Sequence, residues 1–211
     1  MSIERGNFLM IEKISKKILS FVAVYVSMDD DTAEVYQYGI EISLSTALNI
    51  VITMIIAFAF GSPLCGIIFL TCMILIRSYS GGYHAESYFK CNCTMIMAFS
   101  IAFFTSKFLF HFNLTEFHIM ASALMLAFIP IYAFSPVKNE HKPLSESKAK
   151  KCRMVSIILF IFTSLVGLFL VTIGSLYGSM IIITLIEVSV MILLEIHQQR
   201  REHNEAQRND S

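Results

Sequence analysis

Long apolar runs separated by short polar stretches dominate this chain. A helix needs about 20 mostly apolar residues to cross the hydrocarbon core of a bilayer. By this measure the chain contains six candidate spans, at Ile40–Phe60, Pro63–Ile76, Thr94–Phe112, Phe117–Phe134, Met154–Ile173 and Leu176–Ile196. The second run is short, so it predicts either a steep helix in a locally thinned bilayer or a re-entrant element packed against protein. The pattern predicts an all-α polytopic membrane protein.

A different pattern precedes the first span. Apolar residues recur there at helical spacing, with lysines between them, at Ile11, Ile14, Ile18, Val22 and Tyr25. This pattern is typical of a helix that lies in the headgroup layer, and an additional tilted span is the alternative. We predict a single membrane-embedded domain with an amphipathic N-terminal helix over residues 1–30, a transmembrane core over residues 31–196 and a loose polar tail over residues 197–211.

The positions of Lys and Arg assign an orientation to the six spans. When the N-terminus is placed inside, every Lys and Arg except Lys107 falls on the inner side. Positive residues concentrate on the cytoplasmic side of membrane proteins. We therefore expect both termini to be cytoplasmic, and we expect the basic segments to contact an anionic lipid bilayer.

Composition narrows the class of protein further. Hydrophobic residues are 55% of the chain and charged residues 15%, against about 25% charged residues in soluble domains. The formal net charge is zero, so total charge indicates no nucleic-acid partner. The five cysteines are odd in number and irregularly spaced. Such usage favours free thiols in a reducing compartment over a disulfide framework.

The stretch RSYSGGYHAESYFKCNC, Arg77 to Cys93, holds the most reactive residue types between two spans. An imidazole can take the proton of a thiol, which makes His84 and Cys91 a candidate dyad. A straight helix would separate residues seven apart by about 10.5 Å, so a dyad requires a bend, which Gly81 and Gly82 permit. The alternatives are an ordinary loop and a metal site of His84, Cys91 and Cys93, although no CxxC or HExxH pattern supports a metal.

Several further residues could support such a site. Arg77 and the backbone N–H groups of Gly81 and Gly82 are candidate oxyanion donors, while a snorkelling anchor is the alternative for Arg77. Polar residues also form one stripe on the first span, at Glu34, Glu41, Ser45 and Asn49. Glu41 could orient the His84 imidazole, or the stripe could be a polar seam between helices.

An acidic residue, Glu187, lies in the middle of the last span. An ionisable residue inside a membrane is a functional hypothesis by default. Its expected partner is Lys107 or Asn49, in a buried structural pair. A competing function is therefore a non-enzymatic small membrane transporter or scaffold that uses Glu187 and Lys107.

The stretch RSYSGGYHAESYFKC, Arg77 to Cys91, resembles the signature of the accessory gene regulator protein B (AgrB) family. These are bacterial membrane endopeptidases that process quorum-sensing pro-peptides. The segment SPVKNEHKPL, Ser135 to Leu144, resembles a second segment of the family. The resemblance implies that Cys91 is the nucleophile and His84 the general base, with Arg77 and Gly82 accompanying them. Cys93 has no counterpart in the motif.

The resemblance also implies a reaction, a partner and a location. The chain would be a thiol protease of the bacterial cell membrane, without a cofactor, that acts at the cytoplasmic face. It would cleave an AgrD-like autoinducer precursor through a thioester on Cys91 and assist cyclisation to a thiolactone or lactone. An acidic region of the precursor would bind the basic segment that contains Lys148, Lys150 and Lys151. A homodimer is a further expectation.

Overall fold

The computed structural model describes residues 14–21, 30–81, 88–137 and 145–209. All regular structure within these ranges is helical. The helices, in chain order, are α1 (residues 14–21), α2 (Asp30–Ala59), α3 (Pro63–Ser80), α4 (Tyr88–His111), α5 (Phe117–Phe134), α6 (Glu146–Thr172) and α7 (Leu176–Asn209). The predicted all-α class is therefore confirmed.

Six of these helices, α2 to α7, are long and apolar enough to cross a membrane. They correspond in order to the six predicted spans, and the short second run is a continuous helix that extends to Ser80. Many of their large apolar side chains are exposed, among them Phe58, Ile101, Met125 and Leu165. A surface of this kind suits lipid, since burying apolar side chains away from water is favourable.

Helix α7 lies at the centre of the bundle. It packs against α3, α4, α5 and α6, whereas α2 packs on the outside against α3 and α4. Most of the largest fully buried side chains come from α3, α4 and α7, among them Phe69, Met73, Phe99, Ile182 and Leu185. The two helices on either side of residues 81–87, α3 and α4, are thus both fixed by the core.

The two ends of the bundle differ. At one end, short turns at residues 60–62, 112–116 and 173–175 join consecutive helices. At the other end, the Val137 N–H donates to the Ser80 carbonyl over 2.9 Å, and the Ser135 and Ser156 hydroxyls lie 2.7 Å apart. We call this second end, which holds Arg77, Cys91, Ser135 and Arg153, the Cys91 end.

The N-terminal segment is helical where it is described. Residues 14–21 form α1, with Ile14, Ile18 and Phe21 exposed. Ser15 is fully buried, and its hydroxyl donates to Oε1 of Glu41 over 3.0 Å. The helix therefore docks on α2 through a polar contact and leaves apolar side chains outside. Its location in the headgroup layer stays a prediction.

The polar tail differs from the prediction of a loose segment. Helix α7 continues through it to Asn209. Gln199 donates to Glu195 over 3.0 Å, and Arg201 and Glu205 approach to 3.8 Å, both at i,i+4 spacing. Glu, Gln and Arg are good helix formers, and such pairs add a little stability. The prediction overlooked this helical propensity and was wrong.

Candidate active site

Cys91 lies in the first turn of α4, which begins at Tyr88, and its side chain is half-buried. All five cysteines are free. Cys65 and Cys72 are buried in α3, away from any substrate in water, while Cys93 and Cys152 are half-buried like Cys91. Three accessible thiols therefore share the Cys91 end, and geometry must distinguish among them.

A hydrogen bond from α2 holds the turn that carries Cys91. The Ser45 hydroxyl donates to Oδ1 of Asn92 over 3.2 Å, and both side chains are buried. Asn92 lies directly between the two cysteines in sequence. This contact confirms that part of the polar stripe on the first span is a seam between helices.

Arg77 at the end of α3 reaches the face of α4 that carries Cys91. Its Nη1 lies 3.7 Å from the Met95 sulfur, one turn beyond Cys91. Consecutive residues of a helix are rotated by about 100°, so Cys91 lies about 40° from Met95 and Cys93 about 160°. Cys91 is therefore on the side of α4 that faces Arg77, and Cys93 is on the far side.

Gly81 ends α3 in the left-handed region, at φ 71°, where glycine is favoured. This agrees with the unusual turn predicted for the paired glycines. A Cβ at Gly81 would lie 3.1 Å from the Val137 nitrogen and 3.2 Å from the Val137 oxygen. The two stretches that resemble the AgrB family therefore touch here, backbone against backbone. The Gly81 N–H donates to the Arg77 carbonyl over 3.1 Å, so it is already engaged.

Two residues of the predicted site, His84 and Gly82, lie outside the described residues, as does the segment 138–144. The distance between His84 and Cys91 therefore stays a prediction. Glu41, proposed to orient His84, is half-buried and accepts hydrogen bonds at Oε1 from Ser15 and Gln37, each over 3.0 Å. The side chain of Glu34 also lies outside the described residues.

The predicted precursor-binding lysines, Lys148, Lys150 and Lys151, are exposed in the first turns of α6. Arg153 in the same helix has a different role, since its Nη2 donates to the Tyr132 carbonyl over 2.7 Å and its guanidinium lies over the Tyr132 ring. Arg153 thereby attaches α6 to α5. The three lysines extend into solvent at the Cys91 end, where they are available to an acidic partner.

The expected buried pair of Glu187 is wrong for the described part of the chain. Both carboxylate oxygens of Glu187 are buried there without a hydrogen-bond partner, and Asn49 Oδ1 is too. Lys107 is exposed and lies over the Phe103 ring, 4.7 Å from its centroid. The sequence indicated the depth of Glu187 in the membrane. It did not indicate the direction in which the side chains of each helix point.

A metal site receives no support from the described ranges. Within residues 14–21, 30–81, 88–137 and 145–209, no three His, Cys, Asp or Glu side chains are grouped closely enough to hold an ion. Cys91 and Cys93 project about 160° apart around α4, which is unfavourable for two ligands of one ion.

Sequence reasoning missed Asn92 and the pair of Ser135 and Ser156. All three are buried polar residues at the Cys91 end. Buried polar groups are normally hydrogen-bonded. A polar residue just before a predicted span was therefore a usable signal, although the sequence did not reveal its partner on α2, 47 residues away.

Comparison with known proteins bears directly on identity. A family model described as accessory gene regulator B matches residues 12–194. A putative AgrB-like protein 2 of Clostridium perfringens (strain 13 / Type A) is 31% identical over 162 residues, covering 72% of this chain and 75% of that protein. A putative AgrB-like protein of Lactiplantibacillus plantarum is 24% identical over 188 residues, covering 88% of this chain and 90% of that protein.

No solved structure matches the chain. The family model spans most of the sequence, including the Arg77–Cys93 stretch, the first five candidate membrane spans and most of the sixth. The chain therefore belongs to the accessory gene regulator B family.

Proposed function

We propose that this multi-pass membrane protein is a cysteine endopeptidase of agr quorum sensing, with Cys91 as nucleophile and His84 as general base. The observation that supports Cys91 most directly is its orientation. It is half-buried in the first turn of α4, on the side turned toward Arg77, and its neighbour Asn92 is tied to α2.

In the proposed first step, His84 accepts the proton of the Cys91 thiol and the thiolate attacks a peptide carbonyl of the substrate. Charge develops on the carbonyl oxygen, and the Arg77 guanidinium, which contacts Met95 on the face of α4 that carries Cys91, is the candidate to stabilise it. The C–N bond then breaks, and His84 returns its proton to the leaving amine. The remaining acyl group stays on Cys91 as a thioester.

In the second step, a Cys or Ser side chain within the same acyl group attacks the thioester carbonyl. The new ester or thioester bond closes a ring, the Cys91 sulfur leaves as thiolate, and the attacking group's proton restores the thiol. No oxidant or cofactor is needed, because the thioester stores the activated carbonyl. A site at the edge of the membrane limits access of water, which would hydrolyse the thioester.

The substrate proposed from family membership is an AgrD-like precursor peptide. The exposed cations Lys148, Lys150 and Lys151 at the Cys91 end would attract an acidic segment of that peptide. The distribution of Lys and Arg along the chain supports a cytoplasmic position for this end. The peptide would therefore be cut at the cytoplasmic face of the bacterial membrane.

The experiment that tests the proposal is a cleavage assay in intact membranes, with an AgrD-like precursor that carries a C-terminal epitope tag. Cys91→Ala and His84→Ala are expected to abolish release of the tagged fragment. Cys93→Ala and Cys152→Ala are the matched controls, since each removes another half-buried thiol at the same end. If Cys91→Ala cleaves normally, or if Cys93→Ala abolishes cleavage, the assignment of the nucleophile is wrong.

One observation favours the second candidate, a non-enzymatic transporter or scaffold. The Glu187 carboxylate is buried inside the bundle without a hydrogen-bond partner among the described residues. A transporter would depend on Glu187 and not on Cys91. A protein of this class would release no tagged fragment in the cleavage assay, and its transport or binding of the precursor would require Glu187 and tolerate Cys91→Ala.

A further inference from the structure

We propose that Ser45 is a positioning residue for Cys91 that acts through Asn92. This inference rests on the proposed function, because it concerns how the nucleophile is aimed. Ser45 belongs to α2 and touches no reacting atom. Its hydroxyl donates to Asn92, which follows Cys91 directly in the first turn of α4.

The bond is placed where a small movement matters. Ser45 is 5% exposed and Asn92 is 7% exposed, so water does not compete for either group. Hydrogen bonds between membrane helices hold the helices in a defined rotation, because the alternative is an unsatisfied polar group in an apolar environment. Asn92 lies between Cys91 and Cys93 in the sequence. Fixing the direction of the Asn92 side chain therefore fixes the directions in which the two cysteine side chains project from the helix.

A second contact defines the rotation that the bond selects. Arg77 approaches Met95 on the same face of α4 as Cys91, with 3.7 Å between Nη1 and the sulfur. Viewed along the axis of α4, Met95 is rotated by about 40° from Cys91, and Asn92 is rotated by about 100° from Cys91 in the same direction. Rotating α4 about its axis by one residue, or about 100°, would carry the Cys91 thiol away from Arg77. It would also change how the first turn of α4 is aligned with α3. The Ser45–Asn92 bond opposes that rotation.

Helix α2 offers a matched control two residues away. Ser43 is exposed, and its hydroxyl donates to the carbonyl of Gly39 within its own helix, over 2.8 Å. Ser43→Ala therefore removes a serine hydroxyl from the same helix without touching α4. Ser45→Ala removes the bond to Asn92 instead. Comparing the two substitutions separates the interhelical bond from any general effect of serine removal.

The experiment measures alkylation of Cys91 by iodoacetamide in intact membranes across a pH series, with Cys93 of the same molecule as internal reference. We expect Ser45→Ala to slow the alkylation of Cys91 relative to Cys93 by about tenfold, since small misplacements of reacting groups have large effects on rate. In steady-state cleavage of the tagged precursor, we expect kcat to fall by a similar factor with KM nearly unchanged. Ser43→Ala is expected to match the wild type in both assays.

Two further variants keep the test decisive if Ser45→Ala does not accumulate in the membrane. Ser45→Thr and Ser45→Val have nearly the same shape, but only the threonine retains the hydroxyl. We expect Ser45→Thr to restore the ratio of Cys91 to Cys93 alkylation and Ser45→Val to lower it. Equal ratios in the two variants would overturn the inference.

The failure of this inference differs from the failure of the proposed function. If Cys91→Ala still cleaves the precursor, the proposed function falls and the positioning role falls with it. If Cys91 is required but Ser45→Ala equals Ser43→Ala, the peptidase remains and only the positioning role is overturned. If Ser45→Ala raises the alkylation of Cys91 and Cys93 together, the bond merely keeps the bundle closed, and the inference is again wrong.

Discussion

The close contact between Gly81 and Val137 allows a quantitative prediction for Gly81→Ala. An L-residue in the left-handed region costs about 1–2 kcal/mol relative to glycine. The added Cβ would also lie 3.1 Å from the Val137 nitrogen, which must then move. That nitrogen donates to Ser80, and loss of such a hydrogen bond costs about 0.5–1.5 kcal/mol. We expect the free energy of unfolding to fall by about 1.5–3.5 kcal/mol.

Two other glycines separate these contributions. Gly174 has a positive φ of 68° but open space around it, so Gly174→Ala should cost only the conformational part, about 1–2 kcal/mol. Gly39 lies within α2 and also has open space, so Gly39→Ala should be neutral or stabilising by up to about 1 kcal/mol. The assay is denaturant unfolding of the full chain in mixed micelles.

The same variants test whether the contact matters to the candidate site. We expect Gly81→Ala to slow the reaction of Cys91 with iodoacetamide, because the contact fixes the end of α3 beside Arg77. Gly174→Ala lies at the opposite end and should leave that rate unchanged. The reasoning is refuted if Gly81→Ala and Gly174→Ala lower the free energy of unfolding equally and Cys91 is alkylated equally fast in both variants. The contact between the two stretches would then contribute nothing to stability or to the site.

Three further predictions concern the charges of the bundle. Arg77→Met is expected to lower the kcat for precursor cleavage by about a hundredfold at an unchanged protein level, because it removes a cation from the face of α4 that carries Cys91. An unchanged kcat would mean that Arg77 only anchors the helix end. Reversing the charges of Lys148, Lys150 and Lys151 to Glu should raise KM for the precursor and leave Cys91 alkylation unchanged, and this effect should shrink in high salt. Glu187→Gln should leave cleavage within about twofold of the wild type, because a buried neutral amide replaces the unpartnered carboxyl; loss of cleavage would favour a direct role.

The spans were predictable because their signal is carried by local sequence. Each apolar run is long and hydrophobic enough to predict a membrane span without information from the rest of the chain. The paired glycines likewise indicated an unusual turn at Gly81. The pairing of Glu187 was not predictable in the same way. Its depth follows from its place in α7, but its surroundings depend on the rotation of several helices.

The bond between Ser45 and Asn92 shows the same limit more sharply. It joins residues 47 positions apart, and it forms only because α2 and α4 present those two side chains to each other. The stripe on α2 was visible in the sequence, and one interpretation of it was a polar seam. The tertiary structure was needed to identify the residue of α4 that completes the seam, since Asn92, Cys93 and Thr94 are all polar or reactive residues in the same turn.

The two ends of the bundle are stabilised by different chemistry, and this difference bears on function. At the Cys91 end, hydroxyl, carboxylate and carboxamide groups join neighbouring helices in the pairs Ser15–Glu41, Ser45–Asn92 and Ser135–Ser156. At the opposite end, Phe60 stacks on Phe103 with centroids 5.0 Å apart.

Aromatic packing gives stability with broad tolerance of small shifts, whereas a hydrogen bond depends on both direction and distance. A nucleophile that must meet a base and a carbonyl needs the second kind of restraint. Directional contacts at the Cys91 end, among them Ser45–Asn92 in α4's first turn, are therefore what a site at Cys91 requires. They also explain why substitutions at this end should change rates more than they change stability.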